Sequence, residues 1–121
     1  MLKIEPNLII QGFDISDYAL KRVKKLKNLK VFKHKAEKTF PFKSNYFDLV
    51  ISLATLHNLK NFDLSNSIKE IERVGKKKYI MVESYKNDKQ LFNLQCWALT
   101  CQTFLSEKEW IWLYKKLKYS G

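Results

Sequence analysis

The stretch that decides the fold covers residues 40–59 and reads FPFKSNYFDLVISLATLHNL. A polar turn at residues 43–45 precedes a mostly apolar block from Phe47 to Leu53, and a loop that carries His57 follows. A short apolar run bounded by turn residues is typical of a strand buried on both faces in a parallel sheet covered by helices. Polar residues just past such a strand lie where open α/β sheets bind ligands. The stretch therefore predicts an α/β fold with a ligand-binding edge after Leu53.

The rest of the chain alternates apolar blocks with helical patterns, which favours a mostly parallel sheet with flanking helices. We expect strands at residues 8–13, 29–34, 47–53 and 79–83. We expect helices from Ser16 to about Leu26, from Asn61 or Asp63 to Gly75, over 88–97, and after Ser106.

Local signals add detail to the helices. The second should bury a stripe of Leu64, Ile68, Ile71 and Val74, with Glu70, Glu72 and Arg73 outside. Gly75 is expected to end it in a left-handed turn, with the lysines 76–78 in the turn that follows. The stripe of Leu91, Leu94 and Trp97 is expected to pack. Ser106 and Glu109 form a capping box, which opens a helix with Trp110 on its inner stripe and Trp112 off it.

The composition describes a basic chain of 121 residues with a formal net charge of +11. Arg22 and Arg73 are the only arginines, and lysines cluster at residues 21–27 and 76–78. Lysines can bind RNA or DNA phosphates, but specific readout favours arginine. A solvated lysine surface is therefore the preferred interpretation, and an RNA partner is the alternative.

Other classes of protein are disfavoured by the same composition. No stretch approaches the roughly 20 apolar residues of a membrane span, and the first residues lack a signal-peptide core. The last helix is expected to pack on the sheet rather than lie on a membrane. Cys96 and Cys101 are too isolated to build a metal site, so we expect free thiols, no metal and a cytoplasmic location.

A carboxylate closes the first predicted strand. Asp14 stands directly before a helix whose N-cap is Ser16, an arrangement that binds ribose hydroxyls in dinucleotide folds. The alternative is that Asp14 only stabilises the helix dipole.

These motifs resemble class I S-adenosylmethionine-dependent methyltransferases of type 11. The Pro-Phe turn at residues 41–42, the Phe-Asp-Leu-Val of residues 47–50 and the Leu-His pair at 56–57 carry the resemblance. Gly12-Phe13-Asp14-Ile15-Ser16 is similar to the end of that family's second strand. The resemblance implies a Rossmann-like fold and S-adenosylmethionine as cofactor.

The resemblance also implies roles for single residues. Asp14 would bind the ribose and Ile15 would pack on adenine. Ala36 would lie in the adenine-recognition turn, where Lys35 replaces the family's usual acid and cannot accept a hydrogen bond. Ser52 and Leu53 would lie at the mouth of the cofactor cleft.

His57 is the one weak candidate for a catalytic residue. Its ordinary pKa near neutrality suits a proton acceptor or a substrate contact. The preferred alternative is a loop histidine that anchors the turn into the next helix. Methyl transfer depends mainly on positioning, so no catalytic dyad is expected.

Compared with the family, the chain lacks the first strand, the glycine-rich loop and the closing hairpin. We therefore expect a single partial methyltransferase domain over residues 1–121, truncated at both ends, with two strand pairs whose edges are open. Such a chain should bind the cofactor weakly or not at all, and a small-molecule acceptor is the preferred substrate. The alternatives are a non-catalytic module that completes a partner's sheet or forms a homodimer, and a basic RNA-binding module.

Overall fold

The structure, a computed structural model, describes residues 7–121. The chain divides into two compact units: the first ends at Lys38, and the second is Thr39–Gly121. The single-domain interpretation from the sequence stays a prediction.

The first unit is a strand, a helix and a parallel strand. Strand β1 covers Ile10–Asp14, helix α1 Asp17–Arg22 and strand β2 Leu29–Lys33. β1 pairs with β2 in parallel, with Gly12 opposite Val31. As predicted, Ser16 caps α1, since its hydroxyl accepts a hydrogen bond from the Ala19 N–H at 3.2 Å.

Helix α1 is shorter than the sequence predicts, because it ends at Arg22 and not near Leu26. Two of the four residues that would extend it, Lys24 and Lys25, are cations at helical spacing from Lys21, so like charges would repel. Leu26 is 47% exposed, so an added turn would bury little apolar surface to offset the cost of ordering it.

The second unit contains two strands, three α-helices and one short 3-10 helix. In chain order these are β3 Phe47–Leu53, the 3-10 helix Leu56–Asn58, α2 Asn61–Val74, β4 Gly75–Met81, α3 Asp88–Trp97 and α4 Glu107–Lys116. β3 pairs with β4 in parallel, with Leu53 opposite Met81. The described strands thus form two separate parallel pairs, and the predicted α/β class with parallel strands is confirmed.

The core of the second unit is built on α2. Its predicted stripe is confirmed, and these side chains are buried with residues from the rest of the unit: Leu64, Ile68, Ile71, Val74, Phe40, Leu56, Leu94 and Trp110. The capping box at Ser106 and Glu109 is also confirmed, and it sets α4 so that Trp110 is buried while Trp112 is exposed.

The prediction that β3 is buried on both faces is wrong. Leu49, Ile51 and Leu53 are each at least 40% exposed, and so are their neighbours Tyr79 and Met81 on β4. Helix α2 contacts this strand pair, but the other face lacks a covering layer among the described residues. The expected packing of Trp97 is likewise wrong, since it is 60% exposed at the end of α3.

Strand β4 begins earlier than predicted, at Gly75 rather than Tyr79. Gly75 has φ −104° and ψ 133°, so it is extended and makes no left-handed turn. The lysines expected in a turn belong to the strand, where pairing with β3 satisfies their backbone. Ion pairs hold two of them: Lys76 with Asp48 at 2.8 Å, and Lys78 with Glu72 at 2.9 Å.

A clamp of two side chains on α2, Glu70 and Arg73, holds the start of the deciding stretch. Arg73 donates to both Glu70 carboxylate oxygens, at 2.8 and 2.6 Å. It also donates to the carbonyls of Phe42 at 2.7 Å and Phe40 at 3.1 Å, while the Phe40 N–H donates to Glu70 at 2.7 Å. The expectation that both residues lie outside is therefore wrong, because each is partly buried against residues 40–42.

Gly75 lies where α2 passes directly into β4, and a side chain there should be costly. A Cβ at Gly75 would lie 2.8 Å from Val50 Cγ2 and 3.0 Å from the Lys77 carbonyl oxygen. We expect Gly75→Ala to lower the free energy of unfolding by about 1–3 kcal/mol, as overpacking does, measured by urea denaturation. Gly12→Ala is the matched control, since its Cβ would meet Val31 at an ordinary 3.9 Å. Equal stability of the two variants would contradict this account of the junction.

Candidate functional site

The carboxyl edge of the β1–β2 pair carries the first group of candidate residues. Asp14 ends β1 with its side chain exposed, and its Oδ1 accepts a hydrogen bond from the Ser16 N–H at 2.8 Å. Oδ2 has no hydrogen-bond partner among the described residues. The carboxylate therefore orients the turn into α1 with one oxygen and leaves the other available. Ile15 is 57% exposed beside it, so an apolar surface adjoins the carboxylate.

The end of β2 lies at the same edge, because the two strands are parallel. The His34 N–H donates to the Asp14 carbonyl at 3.2 Å, which fixes the two strand ends side by side. Ala36 follows, half-buried, in a turn closed by the Lys38 N–H and the Lys35 carbonyl at 3.1 Å. The first unit therefore brings the predicted residues Asp14, Ile15 and Ala36 to one edge of its own sheet.

The carboxyl edge of the β3–β4 pair carries the second group. Ser52 is half-buried and Leu53 is 54% exposed. The next residue, Ala54, has φ +51°, a left-handed conformation that is costly for a residue with a Cβ. Its N–H donates to the Met81 carbonyl at 3.0 Å, and the Thr55 hydroxyl donates to the Leu53 carbonyl at 3.0 Å. These bonds hold the chain in a sharp turn directly after Leu53.

His57 lies beyond this turn and is buried, with 6% of its surface exposed. Its Nδ1 accepts a hydrogen bond from the Glu83 N–H at 3.1 Å. Its backbone carbonyl accepts from the N–H groups of Gln102 at 2.9 Å and Thr103 at 3.0 Å. Burial lowers the pKa of His57, and the nearby Glu83 carboxylate offsets part of that effect.

This arrangement favours the anchoring role for His57 over the catalytic one. An Nδ1 that accepts from a backbone N–H places the ring proton on Nε2, so the neutral ring has no lone pair left for a substrate proton. His57 instead connects the loop after β3 to the segments that follow β4 and α3. A catalytic role for His57 stays a prediction.

Thr103 is a second anchor, which local sequence patterns do not predict. The residue is 1% exposed, and its hydroxyl oxygen lies 2.6 Å from the Leu59 carbonyl oxygen and 2.7 Å from Asn61 Oδ1. A single threonine between α3 and α4 has no local pattern that marks it. Only the fold brings it to the start of α2.

None of the helices within residues 7–121 is long and apolar enough to cross a membrane. The same residues contain no group of three or more histidine, cysteine, aspartate or glutamate side chains placed to hold a metal ion.

Comparison with known proteins identifies a family and a fold. The family described as a methyltransferase domain matches residues 4–82. A chain from the complex between the Haloferax volcanii Trm112 methyltransferase activator and a putative methyltransferase is similar in structure. It has a TM-score of 0.69 and 17% identity, over 88% of this chain and 49% of that one.

Two other solved structures show the same fold. The YcgJ protein from Bacillus subtilis has a TM-score of 0.65 and 16% identity, over 88% of this chain and 50% of that one. LepI in complex with SAM has a TM-score of 0.64 and 11% identity, over 96% of this chain and 32% of that one. The chain thus spans half or less of the length of these structures. No curated protein sequence matches it.

The lowered pKa of His57 predicts a stability that depends on pH. The unfolded chain takes up a proton near pH 6.5 that the folded chain resists, so the free energy of unfolding should decline as the pH falls below 6.5. We expect urea denaturation between about pH 7.5 and 5.5 to show this decline. His57→Asn keeps an acceptor for the Glu83 N–H and removes the titration, so it should flatten the curve. His34→Asn, the control, leaves His57 in place and should retain the decline. An unchanged decline in His57→Asn would contradict the assignment.

Proposed function

The chain belongs to the methyltransferase domain family, and we propose on this basis that it is part of an S-adenosylmethionine-dependent methyltransferase acting on a small molecule. The observation that carries the proposal is Asp14, an exposed carboxylate at the carboxyl edge of a parallel strand pair, directly before a capped helix. The cytoplasmic location inferred from the sequence belongs to the same proposal.

The first unit would recognise the nucleoside. Asp14 Oδ2 would accept hydrogen bonds from ribose hydroxyls, while Oδ1 stays bonded to the Ser16 N–H. Ile15 would cover one face of the adenine with its exposed apolar side chain. Ala36 would contribute its backbone, since Lys35 cannot accept a hydrogen bond from the adenine amino group.

The second unit would contribute the turn after β3. Ser52 and Leu53 would line the cofactor, and the hydrogen bonds around Ala54 and Thr55 would keep that turn in place. S-adenosylmethionine supplies a methyl group on a positively charged sulfur, which a nucleophile attacks in line. The residues of this chain would then need only to bind, orient and exclude water, because proximity supplies most of the rate enhancement.

Binding of S-adenosylhomocysteine tests the proposal. By isothermal titration we expect this chain to bind more weakly than micromolar, because it has no glycine-rich loop to approach the cofactor. Asp14→Asn keeps an acceptor for the Ser16 N–H but removes the charge, and should weaken binding about tenfold or more. Asp17→Asn, which breaks an exposed ion pair with Lys33, should leave binding unchanged.

Two outcomes would count against these assignments. Micromolar affinity in the isolated chain would contradict the expectation of weak binding. Equal affinities for Asp14→Asn and the unaltered chain would remove Asp14 from the cofactor site.

A second candidate is a non-catalytic module that binds a protein partner or a second copy of itself. The observation that favours it is the exposed apolar face formed by Leu49, Ile51, Leu53, Tyr79 and Met81 on β3 and β4. A similar solved structure contains a methyltransferase activator, which supports a partner of that kind.

Light scattering on the full chain separates the two candidates. The methyltransferase proposal predicts a monomer with weak affinity for S-adenosylhomocysteine. A stable oligomer with no such affinity would favour the second candidate. Replacement of Ile51 and Tyr79 by serine should then return that oligomer to a monomer.

A further inference from the structure

The first unit carries a dense cluster of exposed cations, which we call the basic patch. It consists of Lys21, Arg22, Lys24, Lys25, Lys27 and Lys30. All six side chains are exposed, and no aspartate or glutamate occurs between residues 18 and 30. The patch therefore concentrates positive charge on one short segment.

Ion pairs compensate some of the lysines outside the patch but none of the residues within it. Lys33, Lys76, Lys78 and Lys86 each lie within 3.4 Å of a carboxylate oxygen. None of the six patch residues forms an ion pair with another residue in the described range 7–121. Asp17, the acid at the start of α1, forms an ion pair with Lys33 at 2.7 Å and so does not compensate the patch. An uncompensated cluster of this kind attracts polyanions.

The position of the patch separates it from the candidate cofactor residues. β1 runs toward Asp14, α1 returns, and residues 23–28 lead into the start of β2. Most of the patch thus lies toward the amino edge of the strand pair, whereas Asp14 and Ala36 lie at its carboxyl edge. Strands of five residues separate these edges by roughly 16 Å.

An exposed aromatic ring adjoins the cations. Tyr18 is 65% exposed on α1, and the Arg22 guanidinium carbon lies 4.2 Å from the centre of its ring. The two residues are one helical turn apart, so Arg22 covers one face of the ring while the surface remains largely open. Aromatic rings beside cations are platforms on which the bases of single strands stack.

We propose that the basic patch, together with Tyr18, binds single-stranded nucleic acid without sequence specificity. The lysines would neutralise backbone phosphates as point charges, and Tyr18 would stack on a base. A membrane surface fits less well, because Ala19 and Leu20 are the only aliphatic residues among the six of α1. Interfacial helices bury a large apolar face at the boundary of the bilayer. The proposal is independent of methyl transfer.

Fluorescence anisotropy with a labelled uridine oligonucleotide tests the proposal on the full chain, without cofactor. The patch variant replaces Lys21, Lys24, Lys25 and Lys27 by glutamine. The control variant removes the same charge by replacing four exposed lysines of the second unit with glutamine: Lys43, Lys69, Lys89 and Lys108. We expect the patch variant to lose at least about tenfold in affinity and the control to change by less than about threefold.

The salt dependence gives a second measurement on the same variants. Each phosphate contact adds about 0.7 to the slope of log affinity against log salt for single strands. The patch variant should therefore flatten the slope by about 3, and the control should retain it. Tyr18→Leu should weaken binding with the slope unchanged. Circular dichroism checks that each variant is folded.

Three results would overturn the proposal. Equal losses in the patch and control variants would show that net charge alone causes binding. Undiminished affinity in a folded patch variant would place the binding elsewhere. Preference for phosphatidylserine vesicles over the oligonucleotide would assign the patch to membranes.

Discussion

The Glu70–Arg73 clamp is the interaction on which the second unit depends. It bonds the backbone of Phe40 and Phe42 to α2, and the Arg73 carbonyl accepts from the Asn45 N–H at 2.8 Å. The turn that opens β3 is therefore fixed by a helix that comes later in the chain. The guanidinium lowers the pKa of the Glu70 carboxyl, so the pair stays charged through the neutral range. Removing either partner would leave the other partly buried and unpaired, which costs more than an exposed ion pair contributes.

Two further contacts complete the frame that the clamp begins. Gly75 lets α2 turn directly into β4 against Val50, which fixes the register of the parallel pair at its start. His57 fixes the other end, since its ring and carbonyl bond to residues that follow β4 and α3. The turn after Leu53 is thus supported by the hydrogen bonds that the buried His57 forms. Groups that do not themselves face solvent therefore hold the edge that carries Ser52 and Leu53.

Local patterns predict the elements of this chain well and their surroundings poorly. The bounds of β3 and α3, the stripe of α2 and the capping box at Ser106 follow from periodicity and caps within a few residues. The burial of β3 does not, because it depends on which layers cover the strand. The lysines after Gly75 predict a turn, because their ion pairs with Asp48 and Glu72 do not follow from the local sequence. Glu70 and Arg73 have the spacing of an ordinary surface pair, so only the contact with residues 40–42 distinguishes them. Asp14 and Leu53 each end a parallel strand, as the sequence predicts, while their shared role in one cofactor site stays a prediction.

The two edges of the first unit offer different chemistry: a carboxylate at the carboxyl edge for a nucleoside, and cations toward the amino edge for phosphates. The central proposal is that the carboxyl edge of each parallel pair contacts the cofactor. The most direct measurement is the change in backbone amide shifts when the ¹⁵N-labelled chain is titrated to millimolar S-adenosylhomocysteine. We expect the shifts to concentrate at residues 14–16, 34–37 and 52–55, while residues 21–30 and α4 stay unchanged. Shifts confined to α3, α4 or the basic patch would contradict the proposal.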